Sequence, residues 1–142
     1  MKNQGWILKM GIVSTSLLLL AGCGLVSNTS DLESTAWVLA DLAGTPPLEG
    51  TTISLEFMEA SQLGGSSGCN SYGGGYEIDR DNLVIKELAS TLMACLDPEG
   101  VMDQEQRFLE VLSAAETFNI SGNRLKITSV DGEVLEFTQS TP

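Results

Sequence analysis

The residue types best suited to chemistry are concentrated in one glycine-rich stretch, residues 63–76, which reads LGGSSGCNSYGGGY. A stretch of this kind is typical of a phosphate-binding loop, a nucleophile elbow, a metal knuckle or one half of a disulfide. It lacks the Gly-Lys-Ser/Thr ending of a P-loop. Residues 64–68 have the G-x-S-x-G order of a nucleophile elbow, but the chain has no histidine to act as the base of such a nucleophile. The roles of Cys69 and Asn70 in this stretch therefore need another explanation.

The rest of the chain has few residues that would support catalysis or metal binding. There is no histidine, which removes the usual general base and the usual zinc ligand. Asp79 and Asp81 are paired carboxylates, but they lie in a predicted turn, where solvated acids are common. We therefore predict a protein that is not an enzyme, with no catalytic residues, no metal and no cofactor.

The N-terminus has the pattern of a secretory signal. Lys2 and Lys9 precede an apolar run over residues 10–20, which is shorter than the ~20 residues that span a bilayer. The end of the run, Leu20-Ala21-Gly22-Cys23, resembles a bacterial lipobox. That resemblance implies that Cys23 becomes the first mature residue and carries the lipid. The alternative is an ordinary signal peptide in which Cys23 is incidental.

These signals divide the chain into three parts. Residues 1–22 are the predicted signal peptide, residues 23–33 the lipidated cysteine and a polar tether, and residues 34–139 one domain. The predicted location is the bacterial cell envelope, extracytoplasmic and attached to the membrane through the lipid on Cys23. In a host with an outer membrane, Gly24 after the cysteine is compatible with export to that membrane.

The predicted location bears on the oxidation state of the remaining cysteines. With Cys23 lipidated, Cys69 and Cys95 are an even pair in an oxidising compartment, where disulfides persist. The sequence therefore favours a disulfide between them. The alternative is two reduced, buried thiols.

Charge limits the choice of partners. Residues 23–142 contain five basic and 19 acidic residues, a formal charge of −14. Nucleic acid is excluded as a partner, since phosphate recognition depends on lysine and arginine. A basic protein or a cation is a better match, and the alternative is that the charge only keeps the protein soluble. We expect a monomer.

Most of the domain has the alternation of half-buried strands. Ile53, Leu55 and Phe57 face one way and Ser54 and Glu56 the other. Hairpin chemistry marks Asp79-Arg80-Asp81-Asn82 and Asp131-Gly132, the latter predicting a type I′ turn. The inward side chains predicted for the last two strands are Leu125, Ile127, Leu135 and Phe137.

One segment, residues 97–114, breaks the β pattern. Asp97 is a predicted N-cap and Pro98 a predicted first helical residue. One face of this helix carries Val101, Glu105, Phe108 and Leu112. This stripe is apolar apart from Glu105. Many short antiparallel strands with one helix predict a mainly β fold, a small antiparallel barrel with the helix packed on it or plugging it.

Several motifs together resemble the META domain of the HslJ-like bacterial heat-shock proteins. The specific part is Gly68-Cys69-Asn70-Ser71-Tyr72, followed by Thr91-Leu92-Met93-Ala94-Cys95. Further matches are Trp37-Val38-Leu39, Gly44, Gly75-Tyr76, Glu105, Phe108, Leu112, Leu125, Leu135 and Phe137. The resemblance covers residues 34–139 and implies a lipocalin-like barrel with one helix.

The resemblance also implies where the motifs lie and what the protein does. The two cysteine motifs would form one surface, with Cys69 and Cys95 bridged. Asn70, Tyr72, Thr91 and Met93 would surround the bridge as structural partners, or alternatively as a binding site. The implied role is non-enzymatic, in stress tolerance or envelope integrity through a protein or surface contact. Two alternatives are an inhibitor of a cationic envelope enzyme such as lysozyme, and a binder of small apolar ligands in the barrel.

Overall fold

The computed structural model describes residues 32–140. The predicted signal peptide, Cys23 and the tether as far as residue 31 lie outside the described residues. Within residues 32–140, no helix is long and apolar enough to cross a membrane.

Eight antiparallel strands close into one barrel, which confirms the predicted fold class. Each strand pairs with its neighbours in sequence, and β1 closes the barrel by pairing with β8. The strands are β1 Thr35–Leu42, β2 Ser54–Met58, β3 Gln62–Ser66, β4 Ser71–Asp79, β5 Asn82–Ser90, β6 Ala115–Ser121, β7 Arg124–Ser129 and β8 Val134–Gln139, and one helix, α1 Val101–Ser113, lies between β5 and β6.

Strand periodicity correctly predicted which side chains fill the barrel. Leu55 and Phe57 on β2 are buried, whereas Glu56 between them is exposed. The four inward residues predicted on β7 and β8 are buried as well. Large side chains under 2 % exposed occupy the interior, among them Trp37, Phe57, Phe108, Phe137, Ile53 and Leu83.

The up-and-down topology gives the barrel two distinct ends. We call one the helix end, because it carries α1 and the connections 43–53, 67–70, 91–114 and 130–133. The other is the terminal end, where the described chain enters at Leu32 and leaves after Gln139. Leu32 is fully buried, so the chain is attached to the barrel from that residue onward.

The helix begins later than predicted. Its N-cap is Gly100, with a φ of 87°, and no side chain caps it, so the assignment of Asp97 as N-cap was wrong. Pro98, the predicted first helical residue, also lies before the helix, in a turn over residues 98–101 that is closed by the N–H of Val101 donating to the carbonyl of Pro98 at 3.1 Å. The left-handed Gly100 separates this turn from the helix.

The predicted buried stripe of the helix is confirmed. Val101, Glu105, Phe108 and Leu112 are buried, together with Val111. Phe108 is fully buried and meets the rings of Tyr72 and Phe137 edge-on, with centroids 5.5 and 6.5 Å away. The helix thereby packs its apolar face on the barrel core.

The Asp131-Gly132 turn also differs from the prediction. A type I′ turn requires positive φ at both residues, but among the two only Gly132 has it, at 81°. The strands end at Ser129 and resume at Val134, so the connection is four residues long rather than two. The N–H of Gly132 donates to the carbonyl of Ser129 at 2.9 Å and closes the turn.

Glycines in the stretch 63–76 allow backbones to approach one another. A Cβ on Gly65 would lie 2.1 Å from the carbonyl oxygen of Ser54 on the neighbouring strand. Gly74 lies at a register shift between β4 and β5, where a Cβ would be 2.7 Å from the carbonyl oxygen of Lys86. The glycine-rich sequence is therefore explained by the close contacts and bulge of β3 and β4.

Candidate functional site

The two cysteine motifs meet at the helix end. Cys69, in the β3–β4 connection, is bonded to Cys95, in the segment before α1, and their Cα atoms are 6.0 Å apart. The predicted disulfide is thus present in the structure. It joins a short connection between strands to a long one that leads into the helix.

Asn70 ties the same two connections together beside the bridge. Its side-chain oxygen accepts hydrogen bonds from the Thr91 hydroxyl and the Met93 N–H, both at 2.7 Å. Its side-chain N–H donates to the Met93 carbonyl at 3.1 Å. Asn70 is 2 % exposed, and its side chain therefore fixes the path of residues 91–93.

Glu105 supports Asn70 from the helix. Its carboxylate accepts hydrogen bonds from the Ser67 hydroxyl at 2.6 Å, the Asn70 N–H at 2.7 Å and the Asn70 side-chain N–H at 2.6 Å. The Ser67 N–H in turn donates to the Asn70 carbonyl at 2.8 Å and closes the connection into a tight loop. One buried carboxylate thus holds the Gly-Cys-Asn turn onto the helix.

The environment of Glu105 acts on its pKa in two directions. Burial raises the pKa, because desolvation disfavours the charged form. The hydrogen bonds from Ser67, Asn70 and the Cys69 backbone stabilise the carboxylate and outweigh that effect, so the pKa lies below its ordinary value. Glu105 is therefore ionised, and its carboxylate oxygens are occupied by hydrogen bonds.

Local backbone geometry shapes the loop that holds these groups. Gly68 has a φ of 112°, a conformation that other residues rarely adopt, which lets the chain turn between Ser67 and Cys69. A Cβ on Gly68 would also contact Gln104 and Val101 of the helix at 3.4 and 3.6 Å. These are ordinary van der Waals distances, so the turn favours glycine here because of its φ and not because of a lack of space.

Tyr72 lies apart from the other residues of the two motifs. Its side chain is buried in the barrel, where its hydroxyl donates to the Ser54 carbonyl at 2.7 Å. Burial, with a smaller contribution from the charge of Glu56, raises its pKa. The structure therefore brings Asn70, Thr91 and Met93 together and places Tyr72 in the core beneath them.

Glu105 was missing from the predicted site residues. Its signal in the sequence was an acid on an otherwise apolar helical stripe, since a buried carboxylate requires several hydrogen-bond donors. Which donors it meets depends on how the β3–β4 connection folds back on the helix. Within residues 32–140, no buried side-chain nitrogen or oxygen lacks a hydrogen-bond partner. No cluster of three or more metal-ligating side chains occurs in this part of the chain.

The outer side of the site is apolar. Leu92 is 95 % exposed, Met93 57 % and Leu96 92 %. All three belong to the segment that the disulfide and Asn70 hold in place. We call residues 92–96 the apolar loop.

A shallow groove lies elsewhere on the helix end. It has a volume of about 390 Å³ and runs between the β1–β2 connection and α1. Its lining includes Leu42, Pro46 and Leu48 on one side and Gln104 and Arg107 on the other.

The fold and site together define a class: a small up-and-down barrel with a helix on one end, where a disulfide and a buried carboxylate brace an exposed loop. The family model of the META domain matches residues 30–142. The chain belongs to the META domain family.

Several solved structures resemble this chain in fold. An NMR structure of a protein from Burkholderia xenovorans is 26% identical, with a TM-score of 0.63, covering 78% of this chain and 85% of that one. A second NMR structure is 24% identical, with a TM-score of 0.62, covering 75% and 90% of the two chains. A DUF4847 family protein from Bacteroides vulgatus is 14% identical, with a TM-score of 0.59 and coverage of 79% and 96%, and shares the fold. No curated protein matches the chain.

Proposed function

We propose that this protein is a lipid-anchored domain of the bacterial cell envelope that acts without catalysis, through a contact made by its apolar loop. The contact contributes to stress tolerance or envelope integrity, the role implied by resemblance to HslJ-like proteins. The observation that carries the proposal is the exposure of Leu92 and Leu96 on a braced segment. Exposed apolar clusters on a folded domain are typical of interaction sites.

The anchor is supported by the lipobox-like residues 20–23 and by the direction of the chain. The described chain enters the barrel at the terminal end, opposite the apolar loop. A lipid on Cys23 would therefore tether the domain by one end and leave the helix end facing away from the membrane.

The apolar ligand alternative receives less support. The interior positions are taken by large side chains such as Trp37, Phe57 and Phe137, each about 1 % exposed. An apolar ligand in the barrel would have to displace them from close packing.

Complementation tests the proposed contact. A strain lacking the protein is supplied with the full chain, with L92S/L96S, or with the control M58S/V84S, which changes two exposed apolar residues on the strands. We expect L92S/L96S to fail in survival after heat and detergent challenge, and the control to restore it. Equal amounts of protein are verified by immunoblot. Full restoration by L92S/L96S would rule out the apolar loop as the contact.

Fractionation tests the anchor. Cys23→Ser removes the thiol that the lipid would occupy, so the protein should move from the membrane fraction to the soluble envelope fraction. The parent and L92S/L96S should both remain with the membrane. A Cys23→Ser protein that stays as membrane-bound as the parent would refute lipid anchoring.

A further inference from the structure

The apolar loop is held in position before any partner arrives. Asn70 binds both the N–H and the carbonyl of Met93, and the disulfide fixes Cys95. The Cys95 N–H also donates to the sulfur of Met102 on α1 at 3.4 Å. Preorganisation of this kind lowers the entropy lost on binding, because the backbone is already ordered.

The connections of the helix end, to which the apolar loop belongs, are strongly acidic. Among the connections of the helix end, the only basic residue is Arg107, and it is paired with Glu110 and Glu133. Six acids in the same connections are exposed: Glu49, Asp97, Glu99, Asp103, Glu110 and Asp131. The other four basic residues of the described chain lie on strands or at the terminal end: Arg80, Lys86, Arg124 and Lys126.

We infer that the helix end docks a basic protein surface, with Leu92 and Leu96 inserted into an apolar pocket ringed by lysine or arginine. This inference rests on the proposed function and specifies its partner. The apolar side chains of Leu92 and Leu96 supply affinity. The six exposed acids of the helix end, which we call the acidic rim, attract and orient the basic partner. A cationic envelope enzyme has this chemistry.

Two other occupants fit the same surface less well. A second copy of this chain would bring two acidic helix ends together, and like charges oppose such a contact. Anionic lipid would be repelled by the same acids, and the tether enters at the opposite end of the barrel. A basic protein is the occupant that satisfies both the apolar centre and the acidic rim.

Peptide selection tests the inference without a known partner. The full mature chain in detergent is immobilised and screened against a random phage-displayed peptide library, after depletion on L92S/L96S. We expect enriched peptides to have net positive charge and large apolar side chains. They should bind L92S/L96S about 30-fold more weakly than the parent, the loss typical of two anchor residues. M58S/V84S should bind them like the parent.

The acidic rim is tested on the same peptides. E99Q/D103N removes two exposed charges and leaves the apolar loop intact, so it should weaken binding and reduce its dependence on salt between about 50 and 500 mM. Equal unfolding midpoints for all variants establish that they are folded.

The outcomes separate the two proposals. Loop-dependent peptides that are neutral or acidic would overturn the basic partner and leave the proposed contact standing. Peptides that bind L92S/L96S as well as the parent, or a screen without enrichment, would overturn both. Loop-dependent dimerisation in sedimentation, or loop-dependent binding of the Cys23→Ser chain to zwitterionic or anionic vesicles, would also overturn the basic partner.

Discussion

At the scale of single residues, the helix end depends on a carboxylate that few sequence rules would place in a core. Glu105 is 5 % exposed and accepts hydrogen bonds from the β3–β4 connection, among them those of the Ser67 hydroxyl and the Asn70 side chain. A buried charge is tolerated only when its hydrogen bonds are satisfied, as they are here. Glu105 therefore fixes the position of Asn70, and Asn70 fixes the apolar loop.

Glu105→Gln should destabilise the domain by about 2–3 kcal/mol at neutral pH, because it places an NH₂ group among the donors of Ser67 and Asn70. A carboxyl with a lowered folded pKa contributes stability that is complete above its unfolded pKa, about 4.3, and is lost as pH falls through the folded pKa. The variant should therefore lose less stability below about pH 4.3 than the parent does. Denaturant unfolding across this pH range measures both effects.

Glu99→Gln is the matched control, since Glu99 is exposed and precedes the same helix. Its unfolding free energy should change by less than about 0.5 kcal/mol. Parallel acid limbs for the parent and Glu105→Gln would contradict the assigned role of Glu105.

At the scale of elements, α1 contributes its apolar face to the barrel core. Phe108 fills the space between Tyr72 of β4 and Phe137 of β8. The helix also carries Glu105, so its packing and the bracing of the loop depend on each other. A loosened helix would therefore release the apolar loop.

Phe108→Ala should lower the unfolding free energy by about 3–5 kcal/mol, the range for a fully buried phenylalanine. Gln106→Ala on the exposed side of the helix should change it by less than about 0.5 kcal/mol. Urea unfolding followed by circular dichroism and by tryptophan fluorescence measures both. A loss below about 1 kcal/mol for Phe108→Ala would mean that the helix lies loosely on the barrel.

The disulfide is the second connection between the helix and the strands. It spans 26 residues in sequence, and closing such a loop stabilises a protein by about 2–4 kcal/mol. Reduction, or Cys69→Ser with Cys95→Ser, should cost that amount. Amide exchange should accelerate most in residues 91–100, while Met93 keeps partial protection from Asn70.

Thiol titration tests whether Cys69 and Cys95 are joined by a disulfide. The oxidised protein should have no free thiol from Cys69 or Cys95 after unfolding without reductant. Two titratable thiols and no response of stability to reductant would contradict the disulfide.

At the scale of the whole molecule, charge is the dominant property. Residues 23–142 contain five basic residues against 19 acidic ones, and repulsion between like charges destabilises a compact state. Exposed acids occur along the whole described chain, but four of its five basic residues lie away from the connections of the helix end, so the negative charge of that end is the least compensated. The molecule thus has a helix end that combines acids with the apolar loop, and a terminal end at which the described chain begins and ends.

Salt should therefore stabilise the protein. Raising NaCl from about 10 to 500 mM shortens the screening length from ~30 Å to a few ångströms. We expect the unfolding midpoint, measured by calorimetry, to rise by a few degrees. KCl should act equally, since screening depends on ionic strength. A falling midpoint would show that favourable ion pairs, such as Arg107–Glu133, outweigh the repulsion.

Local patterns alone determined much of this protein. The period-two alternation of Leu55 and Phe57 specified strand faces, and the helical period of Val101, Phe108 and Leu112 specified a buried stripe. Both predictions succeed because burial of apolar side chains requires them to share one face. Many short strands with one helix predicted the barrel, and the even pair of cysteines in an exported domain favoured the disulfide between Cys69 and Cys95. The resemblance of the two cysteine motifs to the META domain implied both as well.

Tertiary structure decided the rest. The helix starts at Val101 because residues 97–100 turn at the disulfide-linked segment, so the capping signal of Asp97 is not used. Tyr72 lies in the core although its motif neighbours do not, since it is on β4 with its side chain facing the barrel interior, whereas Asn70, Thr91 and Met93 lie in the connections of the helix end. Leu92 and Leu96 read as ordinary apolar residues, and they are exposed because Asn70, Glu105 and the disulfide hold their backbone outside the barrel. Contacts between residues distant in sequence decide such positions, and local patterns do not contain them.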